Sequence, residues 1–94
     1  MTTATETISL PAAVDPRNPR NYKWAVYNVY GSEELNYLNC FRRLEHASEW
    51  AEFNDWEVRE TTAEERQRLA DYWVTMSQQQ PEVFMRYASL RLVK

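Results

Sequence analysis

The run of apolar and aromatic side chains along residues 22–30 predicts a β-strand. This segment, YKWAVYNVY, contains two valines and four aromatic residues and no helix capping signal, which is typical of a strand. Both of its faces are largely apolar, so we expect a central strand or one that another element half covers. The polar residues 31–34 follow and include the only glycine, Gly31. They predict a hairpin turn in which this glycine takes a positive φ angle.

The pattern over residues 35–44, LNYLNCFRRL, fits two structures. As a strand it alternates apolar side chains on both faces. As a helix from Ser32 it places Tyr37, Phe41 and Leu44 on one stripe. Asn36 and Asn39 disfavour both states. We predict a strand, because the preceding strand needs a partner and a four-residue turn supplies one locally.

A short helix and a third strand are predicted next. The helix spans residues 46–53, with Leu44, Ala47, Trp50 and Ala51 on its apolar stripe. Asn54 follows it, a residue type that tolerates the left-handed conformation at a helix end. Residues 56–59, WEVR, then alternate apolar and charged side chains, which is typical of a half-buried strand.

Two helices complete the chain. Thr62 and Glu65 form a capping-box sequence, which predicts a helix from residue 62 to about 78. Its predicted core face carries Leu69, Tyr72, Trp73 and Met76. Pro81 suits the first turn of a second helix over 81–90, whose inward residues we expect to be Val83, Phe84, Tyr87, Ala88 and Leu90. The predicted fold is a small single α+β domain over residues 22–94. A β-hairpin and a third strand, in ββαβαα order, pack on the C-terminal helices.

Residues 1–21 are predicted to form an extended N-terminal arm. Pro11, Pro16 and Pro19 lack an N–H group and push the residues before them to extended geometry. We favour a loose leader, because chain termini are usually mobile unless they are tied down. The alternative is an arm that Ile8 and Leu10 hold against this domain or a partner.

Composition excludes several classes of protein. The 94-residue chain has one cysteine, so it holds neither an internal disulfide nor a thiolate-rich zinc site. One glycine is too few for a nucleotide-binding glycine loop. No apolar run approaches the roughly 18 residues of a membrane span, and the first residues do not resemble a secretory signal. We therefore expect a small cytoplasmic protein that does not bind membranes.

The sequence also disfavours an enzyme. Cys40 and His46 are the only thiol and imidazole, and a nucleophile pair would require a hydrogen bond between them that nothing in the pattern indicates. No second histidine completes a transition-metal site, and the glutamates are spread over several elements rather than one calcium loop. We expect no catalytic residues, no metal and no cofactor.

Charge is segregated along the chain. Residues 45–65 carry eight carboxylates against a single cation, Arg59. Glu45, Glu49 and Glu52 share one face of the predicted short helix, and Asp55 and Glu57 follow at its end. One interpretation is a solubility surface. The other is a docking surface for a basic partner.

A smaller basic group lies near aromatic residues. Arg17, Arg20 and Lys23 precede Trp24 and Tyr27, and we expect Arg42 and Arg43 to lie across the hairpin. Cations beside rings are how single-stranded nucleic acids are held. The net charge of −3 disfavours this function, because nucleic-acid-binding domains usually carry a basic footprint.

The pattern as a whole favours a binding protein. Thirteen of the 94 residues are Trp, Tyr or Phe, more than a small core needs, and exposed rings often anchor interfaces. We predict a non-catalytic protein-binding module, such as an adaptor, assembly subunit or regulator of a larger protein. The predicted partner-binding residues are Glu45, Glu49, Glu52, Asp55, Glu57, Trp24 and Tyr30. The alternative is a phage-type acidic inhibitor that mimics nucleic acid and blocks a nucleic-acid-binding protein.

Overall fold

Over the residues that the structure describes, the chain folds into a three-stranded sheet and three α-helices. The computed structural model describes residues 8–27 and 36–92. The elements are β1 (Trp24–Tyr27), β2 (Cys40–Phe41), α1 (Leu44–Asn54), β3 (Glu57–Glu60), α2 (Ala63–Gln79) and α3 (Pro81–Leu92). This order confirms the predicted α+β class. No helix within the described ranges is both long and apolar enough to cross a membrane.

The sheet is antiparallel, with β1 in its centre and β2 and β3 at its edges. Trp24 pairs with Phe41 on one side and with Glu60 on the other. A central strand is covered on both faces, which explains why β1 is apolar on both. Successive side chains point to opposite faces, so Ala25 and Val26 enter separate cores.

Residues 35–44 are not the full strand that the sequence favoured. Residues Tyr37–Asn39 form a 3-10 turn, and only Cys40 and Phe41 pair with β1. The reason is local, because the Asn36 side chain accepts hydrogen bonds from the amides of Leu38 and Asn39 and so caps the turn. The predicted hairpin turn, Gly31 and residues 28–30 and 35 lie outside the described residues.

Two hydrophobic clusters lie on opposite faces of the sheet. The larger one is built around Tyr22, Tyr37, Trp73 and Phe84 and also contains Ala25, Cys40 and Ala70. The smaller one is formed by Val26, Ala47 and Ala51, with Trp24, Phe41, Trp56 and Val58 packed around them. The helices therefore cover both faces: α1 lies on one, and α2 and α3 lie on the other.

Each helix buries a narrower stripe than its sequence predicted. The fully buried positions are Ala47 and Ala51 in α1, Ala70 and Trp73 in α2, and Phe84 and Ala88 in α3. Five residues expected inside are exposed instead: Leu44, Trp50, Tyr72, Tyr87 and Leu90. The apolar pattern overestimates burial because each helix packs against the rest of the domain on one side only, and its flanking positions reach solvent.

The N-terminal segment is part of the core rather than a loose leader. Ile8 and Leu10 pack against the larger cluster, as in the alternative considered above, and Pro16 is fully buried. Residues Pro19–Tyr22 form a 3-10 turn, so Tyr22 precedes the strand. The preference for a loose leader is wrong for residues 8–21, and residues 1–7 lie outside the described range.

Buried tyrosine hydroxyls hold this segment in place. The hydroxyl of Tyr22 donates to the carbonyl of Pro16, and that of Tyr37 donates to the carbonyl of Val14. Arg17 is paired with Asp15 at 2.7 Å, and its guanidinium lies 4.9 Å from the centre of the Phe84 ring. A buried hydroxyl must find a partner, and here the N-terminal carbonyls supply it.

An ion pair connects β3 to α2. The two terminal nitrogens of Arg59 lie 3.1 Å from the two carboxylate oxygens of Glu65. Glu65 also accepts from the amide of Thr62 at 2.8 Å, and Thr62 accepts from the amide of Glu65. The predicted capping box is confirmed, and its Glu65 also connects α2 to the sheet through the ion pair with Arg59. Arg59 lowers the pKa of Glu65 to about 2, with the Thr62 amide adding to the effect.

Trp73 is expected to be the largest single contributor to stability. Its ring contacts those of Tyr37, Tyr72, Phe84 and Tyr87 at centroid distances of 5.2–6.4 Å, and it is 6% exposed. Trp73→Ala should lower the free energy of unfolding by about 3–5 kcal/mol, measured by urea denaturation. The neighbouring Tyr72→Ala is the matched control, since Tyr72 is 55% exposed and should lose about 1 kcal/mol or less. Equal losses would contradict this packing.

Stability should fall in acid partly through Glu65. Its pKa drops from 4.5 unfolded to about 2 folded, so its contribution is complete above pH 4.5 and is lost as the pH falls towards 2. Glu65→Gln keeps an acceptor for the Thr62 amide and removes the charge. Urea denaturation should show the variant less stable at neutral pH by no more than about 1 kcal/mol, with the gap closing in acid. A gap that is constant with pH would rule out the charge effect.

Candidate functional site

The helix α1 is held to the sheet through two alanines. Ala47 and Ala51 are its buried residues, and they pack in the cluster that contains Val26 and Trp24. Such small side chains place the helix close to the sheet and leave most of its other positions exposed. The outer face of α1 is therefore one part of the described fold in which side chains are available to a partner.

A left-handed residue ends α1 and turns the chain into β3. Asp55 has φ 58° and ψ 43°, and the amide of Trp56 donates to the carbonyl of Ala51 at 2.7 Å. This conformation and this hydrogen bond are part of the Schellman motif that typically ends a helix. The sequence placed the left-handed residue at Asn54, one position too early.

The three predicted helix carboxylates lie together on α1. Glu45, Glu49 and Glu52 are all exposed, and we call them the acidic stripe. Glu45 pairs with Arg43 at 3.1 Å, and its own amide in the first turn lowers its pKa, as does Arg43. Asp55 and Glu57 are exposed beyond the helix end, and Glu57 accepts from the Tyr27 hydroxyl at 3.0 Å.

Of the two predicted aromatic contacts, Trp24 lies apart from the acidic stripe. Trp24 is half-buried in the cluster beneath α1, with the Lys23 ammonium 5.8 Å from its ring centre. It supports the helix from below rather than standing on the outer face. Tyr30 lies outside the described residues.

The most exposed aromatic side chain among the described residues was not predicted as a contact. Phe53 is 87% exposed near the end of α1. One turn earlier, Trp50 is 36% exposed and its ring lies 6.3 Å from that of Phe41. The spacing of residues around the helix could have indicated this exposure. Phe53 is two residues past the buried Ala51, so it points away from the sheet.

A groove runs beside these rings and the acidic stripe. It has a volume of about 650 Å³ and is lined by Ala13, Val14, Phe41, Arg42, Arg43, His46, Glu49, Trp50, Phe53 and Arg91. We call it the aromatic groove. Its lining combines apolar side chains with three arginines, so it suits an apolar side chain with a polar or acidic neighbour.

Arg91 is a second residue that the sequence did not single out. Its guanidinium donates to the carbonyls of Tyr37 and Cys40 and lies 4.8 and 4.7 Å from the ring centres of Tyr37 and Phe41. Burial lowers its pKa, and it forms no ion pair within the described residues. The ring contacts and carbonyls hold this charge at the groove without a carboxylate.

Cys40, the one thiol in the sequence, belongs to the larger hydrophobic cluster. The Cys40 thiol is buried, which raises its pKa to about 12, so it is not a nucleophile near neutral pH. Over residues 8–27 and 36–92, no group of three or more metal-ligating side chains could hold a metal ion.

Comparison with known proteins adds no relative. The chain matches no family model, no curated protein and no solved structure.

The helix end that orients Phe53 should respond to substitution at Asp55. A left-handed conformation is unfavourable for most residues, and a carboxylate at a helix C-terminus opposes the helix dipole. Asp55→Gly removes both effects and should raise the free energy of unfolding by about 1 kcal/mol. The β-branched Asp55→Val should lower it by about as much or more, measured by thermal and urea denaturation. The opposite order of the two variants would contradict the assigned backbone geometry.

Proposed function

We propose that this chain is a non-catalytic protein-binding module whose partner binds the outer face of α1 and the aromatic groove. The observation that carries the proposal is Phe53, an 87% exposed ring beside Trp50 at the mouth of the groove. Exposed Phe and Trp rings at a groove are the usual anchors of protein interfaces, because they lose the most water contact on binding. An adaptor, an assembly subunit or a regulator of a larger protein would use such a surface.

The acidic stripe defines the chemistry of the partner. Glu49 lines the groove, and Glu45 and Glu52 extend the negative charge along the helix, continued by Asp55 and Glu57. A partner with lysines or arginines beside an apolar side chain would complement both parts of this surface. The charges would mainly accelerate association, while the rings would slow dissociation.

Trp24 and Tyr30 have different places in the proposal. Trp24 packs beneath α1, so its role would be to hold the helix in position for binding. Tyr30 stays a predicted contact. The buried single thiol fits a reducing compartment, and we keep the cytoplasm as the proposed location.

Nucleic-acid mimicry is the less favoured mechanism. A mimic presents carboxylates at positions that replace successive phosphates. Here Arg43 pairs with Glu45, and Arg42 and Arg91 line the groove next to the stripe. These cations interrupt the negative surface, so we favour a partner held by rings as well as by charge.

The proposal is tested by capture from lysate of the native host with matched variants. Tagged wild type, Phe53→Ala and Tyr72→Ala are compared by mass spectrometry at low and high salt. Tyr72 is the control, because it is also an exposed ring but lies on α2. A partner that is kept by Tyr72→Ala and weakened roughly tenfold or more by Phe53→Ala supports the proposal. Equal binding by both variants would overturn it, and a complex that dissociates completely in high salt would favour the mimic.

The acidic stripe is tested separately with the purified partner. The triple change of Glu45, Glu49 and Glu52 to Gln should leave the fold intact, since like charges at this spacing are slightly destabilising. Surface plasmon resonance should show slower association with a nearly unchanged dissociation rate. A triple variant that associates as fast as wild type would reduce the stripe to a solubility surface.

A further inference from the structure

A second pocket, away from Phe53, is lined mainly by cations. It has a volume of about 370 Å³ and is formed by Pro19, Arg20, Lys23, Arg42, Glu60 and Arg66. Four of these six residues are basic and one is acidic. None of the four cations forms an ion pair within the described part of the chain. We call this the cationic pocket, and its charge is opposite to that of the whole protein, −3.

Three separate parts of the chain bring these cations together. Arg20 lies in the 3-10 turn and Lys23 at its end. The pairing of Trp24 with Phe41 places the flanking residues Lys23 and Arg42 side by side at the end of the sheet. Arg66 comes from the first turns of α2. Cations gathered from distant parts of the sequence repel one another, and an anion bound among them would relieve that repulsion.

Arg66 is held at the pocket by hydrogen bonds to Thr61. One terminal nitrogen of its guanidinium donates to the carbonyl of Thr61 at 2.6 Å and to the Thr61 hydroxyl at 3.1 Å. Thr61 is itself buried and bonded to the carbonyls of Tyr22 and Lys23. An arginine held in this way loses little side-chain entropy when it binds a ligand.

We infer that the cationic pocket binds a compact oligophosphate, such as inorganic pyrophosphate or the diphosphate part of a nucleotide. Three guanidinium groups match phosphate oxygens through paired hydrogen bonds, and the ammonium of Lys23 adds a fourth positive charge. A ligand with a single carboxylate would leave most of these positive charges without a counter-charge. The inference does not rest on the proposed partner surface on α1, although Arg42 lines both sites.

The surrounding charge favours a compact ligand over a nucleic-acid strand. Arg42 lines both the cationic pocket and the aromatic groove, but the groove also contains Glu49 and borders the acidic stripe. A strand that continued past Arg42 would meet these carboxylates. A ligand with two or three phosphates would stay within the cations.

Titration calorimetry of the full chain with inorganic pyrophosphate at low ionic strength tests the inference. Wild type should bind one equivalent. Arg20→Gln combined with Lys23→Gln should weaken binding by roughly tenfold or more, since each removes a charge-assisted contact. Arg68→Gln combined with Arg86→Gln makes the same change in net charge at exposed positions outside the pocket, and it should alter the affinity by no more than about twofold. These four residues form no ion pairs within residues 8–27 and 36–92, so both variants should fold.

Glu60 supplies the opposite test. Glu60→Gln removes the pocket's one carboxylate and should tighten pyrophosphate binding several-fold. Titration with a nucleoside diphosphate identifies the source of the phosphates: tighter binding than pyrophosphate indicates a nucleotide, and equal or weaker binding indicates a free oligophosphate.

Three results would overturn the inference. The first is an absence of saturable pyrophosphate binding by wild type. The second is an unchanged affinity in the Arg20 and Lys23 double variant. The third is tighter binding of oligothymidylate than of pyrophosphate, with an affinity that rises with strand length, which would assign the cations to a nucleic-acid strand instead.

Discussion

The need of two buried tyrosine hydroxyls for hydrogen-bond partners determines how this small domain is built. Tyr22 and Tyr37 are almost fully buried, and their rings meet edge to face at 6.0 Å. Burial raises the pKa of both hydroxyls, that of Tyr37 to about 12, so both stay protonated and act as donors. Their acceptors are the carbonyls of Pro16 and Val14. The N-terminal segment is therefore required by the core and cannot be treated as an accessory arm.

This constraint also accounts for the uneven distribution of the large rings. The cluster beneath α2 and α3 takes Tyr22, Tyr37, Trp73 and Phe84, which leaves the opposite face of the sheet with only small and medium side chains fully buried. There α1 rests on Ala47 and Ala51. The rings of Trp50 and Phe53 extend from this lightly packed helix, and they define the surface proposed for partner binding.

The predictable parts of the fold were those encoded by neighbouring residues. The Thr62–Glu65 capping box and the apolar centre of β1 were predicted correctly from the sequence, because a cap or a strand pattern depends on neighbouring residues. The short extent of β2 was not, since it depends on whether the Asn36 side chain caps a turn or leaves the backbone free to pair. The exposure of Tyr72, Tyr87 and Leu90 depends on which side of each helix meets the rest of the domain, which residue spacing leaves undetermined.

The candidate sites likewise divide into features that depend on neighbouring residues and features that depend on tertiary packing. Residue spacing was sufficient to group Glu45, Glu49 and Glu52, since positions three and four apart share a helix face. The groove at Arg91 could not be found in this way, because its arginine is more than fifty residues from Cys40, whose carbonyl it contacts. Arg66 joins Arg20 in the cationic pocket only through the packing of α2 against the 3-10 turn, and no sequence pattern links those positions.

The position of Cys40 allows opening of the core to be measured through the protein's own thiol. The thiol lies inside the larger cluster, opposite Ala25 on the central strand. A water-soluble thiol reagent reaches it only when β2 separates from β1 or the core opens. Because the sequence has no second cysteine, the rate of modification would measure that one opening event, residue-specifically and without an introduced label.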